Sequence, residues 1–456
     1  MIPRLSLVLS GALCFATSVH ADLPTLRVTA DGRHLETVDG QPFFLLGDTA
    51  GELFHRLTFE EAETYLATRA AQGYNTLFAV ALAEHHLGIP DAYGNPMLHD
   101  NDPARPNEAY FAHVDAVIRK AEELGLYTAL LPTWGDKWNQ KWGSGPEIFT
   151  PENARAFGAW IGQRYKESAI LWILGGDRPV ENDSHRAILR AMATGIKEGD
   201  GGRHLLGFHP SDERNSSDDW PDEAWLDFHM FQSGHGKAKD KATYEMNLRN
   251  RALQPVKPTL DGEPRYEDHP VRRIPDEGSV WYDAFDVRQA AWWDLLSGSC
   301  GHVYGDHNIW QFYDGKRAPI TLARTPWREA LKHEGSVQMG HLRRFFEALP
   351  WQTLQPDDSV LQGDKGSKGS RILATRSGDG SPLVAYTPHG LPITLDLSKL
   401  AQGLSATWFN PRSGENGPAT ALTTVSARHT FTPPTPDGPA RGEDWVLLLR
   451  AEAPTE

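Results

Sequence analysis

Leu171-Trp-Ile-Leu-Gly-Gly-Asp177 is the stretch on which the reading of this chain turns. Four apolar residues run without interruption, two glycines follow, and a carboxylate closes the segment. Strands that are covered on both faces read this way, as parallel strands do beneath helices. Pro258-Thr-Leu-Asp-Gly-Glu-Pro264 has the same form. Between and around these two segments, strand and helix signals alternate. Strands are expected at 43–48, 75–82, 127–134, 170–174, 205–209, 226–231, 257–260 and 301–304. Helices are expected to open at Thr58, a cap with Glu61 three residues on, and at Pro151 behind Thr150. Further helices are expected over 107–124, 184–197, 241–252, 283–296 and 327–349. Eight such units predict an α/β fold, a (β/α)8 TIM barrel. A doubly wound open sheet would want a glycine-rich phosphate loop after its first strand, and Gly47-Asp-Thr-Ala-Gly51 is not one.

The ends differ from the middle. Arg4 followed by the apolar run from Leu5 to Thr17 and by Val19-His20-Ala21 reads as a secretory signal peptide over residues 1–21. The expected localisation is secreted or periplasmic. No later stretch reaches the roughly 18 apolar residues of a membrane span. The catalytic-type barrel is expected over 22–350, with a β-hairpin at 26–42 ahead of it. From Trp351 short alternating runs separated by Gly, Pro, Asn and Asp predict a β-sandwich over 351–456. Cys14 leaves with the signal, so Cys300 has no partner within the chain and is expected to be a buried small hydrophobe. The net charge of -15 argues against a nucleic-acid partner. Fifteen Trp suit sugar stacking as well as large cores.

In barrels of this kind chemistry sits at the C-terminal ends of the strands. Asp177 and Glu263 end the fourth and seventh. Two carboxylates so placed are the equipment of a retaining glycosidase, one protonating the leaving oxygen while the other attacks the anomeric carbon. The expected separation of the two carboxyl groups is then ~5–5.5 Å. Asp261 competes with Glu263 for the nucleophile, since alternation puts both on one side of a regular strand.

Several segments together resemble the apiosidase-like glycoside hydrolases, glycoside hydrolase family 140. They are Asp39-Gly-Gln-Pro-Phe-Phe-Leu-Leu-Gly-Asp-Thr-Ala50, Gly73-Tyr-Asn-Thr-Leu77, Leu174-Gly-Gly-Asp177, Asp261-Gly-Glu-Pro264 and Gly301-His-Val-Tyr-Gly-Asp306 with Asn308 and Trp310. The tail Ala406-Thr-Trp-Phe-Asn-Pro-Arg-Ser-Gly-Glu415 is similar to the small β-domain that accompanies that catalytic domain and has been labelled collagen-binding by analogy. The resemblance implies a retaining enzyme that cleaves apiose from galacturonic acid in the pectin rhamnogalacturonan-II, a plant cell-wall substrate. It implies Asp177 as acid/base and Glu263 as nucleophile. Related barrel glycosidases usually carry Asn-Glu at the end of strand four, where this chain has Gly176-Asp177.

Other residues at strand ends are candidates for substrate binding. Asp48 could meet a sugar hydroxyl or brace its own turn. His209, His229 and Gln232 could position the nucleophile or touch the sugar. Trp134 and Trp138 could form a stacking wall. Tyr304 could hydrogen-bond the nucleophile. A galacturonate leaving group needs a cation, for which Lys137, Lys141, Arg178, Arg265, Arg272 and Arg273 are candidates, with Arg178 and Arg265 adjacent to the carboxylate pair. His85-His86 does not make a metal site, because neighbouring strand residues point to opposite faces. No metal or cofactor is expected. Two other readings stand beside this one: a non-catalytic carbohydrate-binding barrel, and a metal-dependent amidohydrolase, for which strand one lacks His-X-His.

Overall fold

In the fourth barrel strand, Ile170–Gly175, alternate residues serve opposite cores. Leu171 and Ile173 point into the barrel with Leu45, Val80, Leu131, Leu260 and Val303. Ile170, Trp172 and Leu174 point out under the helices. That is why the segment reads as continuously apolar. A computed structural model describes residues 23–84, 87–235, 242–271, 280–422, 427–435 and 437–451. The signal peptide expected over 1–21 lies outside the described residues.

Six parallel strands form one sheet in the spatial order Gly301–Tyr304, Leu45–Thr49, Thr76–Leu82, Tyr127–Thr133, Ile170–Gly175, Leu206–His209. His229–Phe231 and Thr259–Asp261 form a parallel pair. The Asp227 amide donates to the Leu206 carbonyl at 2.8 Å, and the Cys300 amide to the Thr259 carbonyl at 3.0 Å. The pair thereby bridges the two edges of the larger sheet, giving the eight strands of a TIM-type barrel. Thr58 and Thr150 cap their helices with full capping boxes. Cys300 is a free, buried thiol whose pKa burial pushes up to about 12.

Several expectations change, among them the sixth strand, which is only His229–Phe231 instead of 226–231. The N-terminal hairpin is a three-stranded antiparallel sheet of Leu26–Val28, Leu35–Thr37 and Pro42–Phe43, so the first barrel strand starts only at Leu45. The seventh strand is Thr259–Asp261, shifted toward the carboxylates. The final helix is broken into Trp327–Ala330 and Glu334–Glu347. His333 between them is extended, and its Nδ1 lies 2.6 Å from Asp306 Oδ2. A tertiary ion pair there overrides helical continuity.

The C-terminal region is two antiparallel sheets, a larger one running from Gln355–Pro356 to Glu415–Asn416 and a smaller one of Leu361–Gln362, Ile393–Asp396 and Arg428–Phe431. Leu383, Ala385, Leu447 and Leu449 of the large sheet face the small one. Val384, Tyr386, Val446 and Leu448 face the barrel, against Trp292, Trp293, Phe345 and Phe346. The helix Ala284–Leu296 is therefore enclosed between barrel and sandwich, as a helix without a polar face must be. Arg288 grips Asp444 through Nε at 2.7 Å and Nη2 at 2.6 Å, and Tyr386 donates to the same carboxylate at 3.0 Å. Among the described residues no helix is long and apolar enough to cross a membrane.

Candidate active site

Three residues in succession at the end of strand four have left-handed φ: Gly175 at 96°, Gly176 at 99° and Asp177 at 52°. A side chain at Gly175 would put its Cβ 2.1 Å from the His209 carbonyl oxygen, and one at Gly176 would stand 2.6 Å from the Gly135 nitrogen. The two glycines thus serve a reversal of the chain between strands three and five. The reversal leaves Asp177 at the mouth of the barrel with 22% of its side chain exposed. Trp142 Nε1 donates to Asp177 Oδ2 at 3.2 Å, and Arg178 Nη1 lies at the same distance from it. Arg178 also binds Glu84 at 3.0 Å and lies over the Trp142 ring, 4.9 Å from its centroid. Burial, and then the charge of Glu263, raise the Asp177 carboxyl to about 6 in spite of these donors.

Glu263 follows strand seven and meets two imidazoles. His209 Nε2 is 3.1 Å from Oε2, and His235 Nε2 is 2.8 Å from Oε1. Burial alone would raise the Glu263 carboxyl, but the hydrogen bonds from His209 and His235 reverse this and hold it well below the usual carboxylate range. His209 is also tied to Asp177, whose amide N–H donates to Nδ1 at 3.3 Å. One imidazole therefore spans both carboxylate residues. Burial lowers the pKa of His209, and its contact with Glu263 more than compensates. The chemical result is one carboxyl that keeps its proton toward neutral pH facing another that stays ionised, which is how acid and base roles are divided between two like groups.

Asp261 is separated from Glu263 despite the expected alternation. It is fully buried beneath the strand end, where its Oδ1 accepts from the amides of Ser233 and Glu263, both at 3.3 Å. Burial raises its carboxyl to about 7. It braces the backbone of Glu263 and has no open surface.

Several other expectations are corrected. Asp48 is sealed, bound by Tyr65 Oη and Arg69 Nε at 2.6 Å each, so it does not reach a sugar. Tyr304 donates to Glu267 at 2.6 Å instead of to Glu263. His229 faces the helix layer, 3.5 Å from Ser216 Oγ, and burial pushes its pKa down to about 4. Trp138 is buried and donates to the Gly175 carbonyl at 3.3 Å, supporting the turn from below. Gln232 is buried too, and its Oε1 has no hydrogen-bond partner among the described residues. Trp134 lies at the site, its ring centroid 5.6 Å from that of His209. Of the cations, Arg178, Lys137 and Arg265 are buried, Lys137 against Asp136 at 2.7 Å. Lys141 keeps 37% of its side chain exposed. Arg272, Arg273, His85 and His86 lie outside the described residues.

Sequence reasoning missed Trp142, Glu84 and His235. Trp142 is 49% exposed and touches Asp177, which makes it the open aromatic face that Trp138 is not. Glu84, whose carboxyl burial raises to about 7, ends the strand-two segment as Asp177 ends strand four, and that was the available signal. His235 had none.

Glu267, Asp306 and His333 bring ligand-type atoms within 4.8 Å of one another. Each carboxylate oxygen already has a partner: Gly335 N and Tyr304 Oη on Glu267, Asn308 N and His333 Nδ1 on Asp306. Burial opposes charge on His333, but Asp306 raises its pKa to about 9. The cluster is thus an ion pair of His333 and Asp306 whose carboxylate oxygens are engaged by the protein's own donors.

Comparison with known proteins agrees with this architecture. Residues 29–353 match the family described as "Apiosidase-like, catalytic domain", and residues 355–450 match a family whose description names a collagen-binding domain of a collagenase. A solved structure titled as a glycoside hydrolase is similar at 31% identity over 94% of this chain and 97% of its own, with a TM-score of 0.84. A glycoside hydrolase family 5 structure from Bacteroides vulgatus ATCC 8482 is similar at 30% identity, covering 94% and 93%, with a TM-score of 0.85. No curated protein sequence matches the chain.

Proposed function

The chain belongs to the apiosidase-like glycoside hydrolases, and on that premise we propose that it is an exported retaining enzyme of glycoside hydrolase family 140. Its substrate is the apiose–galacturonic acid linkage of rhamnogalacturonan-II in plant cell-wall pectin. A Glu263 carboxylate oxygen forms a bond to the anomeric carbon as the glycosidic C–O bond breaks. The Asp177 proton passes to the departing oxygen. Water then attacks the glycosyl ester, Asp177 takes its proton, and the sugar leaves with Glu263 again ionised. The observation that carries this is the geometry around His209, whose Nε2 lies 3.1 Å from Glu263 Oε2 and whose Nδ1 lies 3.3 Å from the Asp177 amide nitrogen, and the directions agree with it, Asp177 raised by burial and Glu263 lowered by its imidazoles. Trp134 and Trp142 supply apolar faces for the furanose ring, and Lys141, beside Trp142 and ion-paired with Glu181, is the exposed cation that a uronate would have to draw from that pair. Export rests on the signal-like segment 1–21.

The test is incubation with rhamnogalacturonan-II oligosaccharides, read by mass spectrometry, for wild type, Asp177→Asn and Glu263→Gln. Release of apiose-linked fragments by wild type, with losses of about 10⁴-fold in Glu263→Gln and about 10²- to 10⁴-fold in Asp177→Asn, is expected. A folded wild type that releases nothing from this substrate overturns the apiose assignment.

A further inference from the structure

The two imidazoles on Glu263 are held in different ways. His209 has a partner for each ring nitrogen: Glu263 at Nε2, and at Nδ1 the Pro210 carbonyl, 3.0 Å away, when that nitrogen carries a proton, or the Asp177 amide when it does not. His235 has one. Its Nε2 meets Glu263, and its buried Nδ1 has no hydrogen-bond partner among the described residues. A proton on Nδ1 would be a buried donor without an acceptor, so the ring carries its proton on Nε2 and donates to Oε1.

The surroundings are built to keep that ring where it is. His235 lies between Tyr266, 4.3 Å between centroids, and His269, 4.2 Å away at an interplanar angle of 24°. Tyr282 Oη donates to the His235 carbonyl at 3.2 Å. His307 closes the far side of His269 at 4.4 Å. Burial keeps His269 and His307 neutral, the latter with its pKa pushed down to about 3, so the stack adds no charge behind His235. A fold that leaves one buried nitrogen unsatisfied to aim the other is conceding stability for a task.

We propose that His235 is a positioning residue for the glycosidase reaction, fixing the rotation of the Glu263 carboxylate by donating from Nε2 to Oε1. This rests on the reading of Glu263 as nucleophile. His209 then secures the other oxygen, on the side of Asp177, and the carboxylate plane is set before substrate arrives. Preorganisation of this kind lowers the cost of reaching the attacking geometry.

The experiment compares wild type, His235→Gln, His235→Ala and Tyr282→Phe. Gln can place an amide N–H near the position of Nε2, whereas Ala cannot. The first readout needs no substrate: infrared titration of the Glu263 carboxylate, identified by its disappearance in Glu263→Gln. Wild type and His235→Gln are expected to stay ionised through the acid range in which the protein is folded. His235→Ala is expected to bring a protonation step up into that range, and Tyr282→Phe to move it in the same direction by less. The second readout is turnover: roughly 10- to 100-fold lower kcat in His235→Ala with KM little changed, and most of it recovered in His235→Gln. An unmoved Glu263 titration in His235→Ala overturns the proposal, as does a Gln variant no better than Ala. Should Ala not fold, an unmoved titration in Tyr282→Phe does the same. A wild type that cleaves no glycoside sinks the functional reading instead, and the titration still decides the role of His235.

Discussion

Asp48 and Asp177 end two strands with nearly the same sequence, Phe43-Phe-Leu-Leu-Gly-Asp48 and Leu171-Trp-Ile-Leu-Gly-Gly-Asp177, yet they have opposite fates. Asp48 stays in the strand, and the helix Phe59–Gln72 covers it with Tyr65 and Arg69. Asp177 comes one glycine later, after the chain has reversed through three left-handed residues, and stands at the barrel mouth. Both carboxyls are raised by burial. On the Asp48 side that burial is matched by a permanent cation and the charge is inert. On the Asp177 side the charge of Glu263 adds to burial and outweighs the Arg178 cation, so a proton is retained at the barrel mouth. A strand-end carboxylate becomes reactive when its backbone turns it away from the covering helix.

Breaking the sealed side is expected to have the largest effect. Asp48→Asn leaves Arg69 buried without its counter-charge and should cost about 3–5 kcal/mol, read as a lower Tm and denaturation midpoint. Turnover per folded molecule is expected to stay near wild type. Loss of turnover at unchanged stability would put Asp48 in the chemistry and erase the contrast.

Gly176→Ala attacks the reversal itself. Its Cβ would stand 2.6 Å from the Gly135 nitrogen and 3.0 Å from the Trp134 ring, at a φ of 99°. Displacement of Asp177 should lower kcat/KM by roughly 10- to 100-fold, checked alongside the melting temperature. An active Gly176→Ala would mean the left-handed turn does not place Asp177.

The two sides also differ in what pH does. Asp177 must be protonated to act as acid, and its pKa is raised to about 6. Turnover should therefore be present below about pH 6 and fall about tenfold per unit above it. Glu263 must be ionised, and its pKa is lowered, so the acid limb should lie well below the ordinary carboxylate range. A kcat/KM profile flat through pH 8 would contradict the assignment of Asp177 as acid.

Trp142→Phe is the finest adjustment. It removes one donor from Asp177 while keeping an aromatic face. The alkaline limb should move upward by a few tenths of a pH unit, since losing a hydrogen bond to the charged form favours the proton. KM should change only about two- to fivefold. A downward shift of the limb would show that the indole N–H does not stabilise the Asp177 anion.

Much of this arrangement is legible from residue patterns, and the reasons are specific. Strands such as 170–175 are readable because both faces are covered, so hydrophobicity is continuous and glycine marks its end. The capped helices at Thr58 and Thr150 are readable because capping boxes are local. The single helix expected over 327–349 was not, because an ion pair between His333 and Asp306, distant in sequence, breaks it. His235 and Trp142 sit in loops, where no periodicity marks a side chain as inward or outward. Trp138 and Trp142 are four residues apart, and only the loop's path buries the first and opens the second.

The sequence by itself determined the alternation of strands and helices, the change to short β-runs after Pro350, and the two carboxylates at strand ends. These depend on local composition and on periods of two and 3.6 residues. Only the tertiary structure decided which carboxylates are paired away and which face one another, that Asp261 lies beneath Glu263 and not beside it, and that His209 joins the two halves of the site. Those outcomes depend on distances between residues far apart in the chain, and on the burial and charge that each finds there, neither of which a local pattern contains.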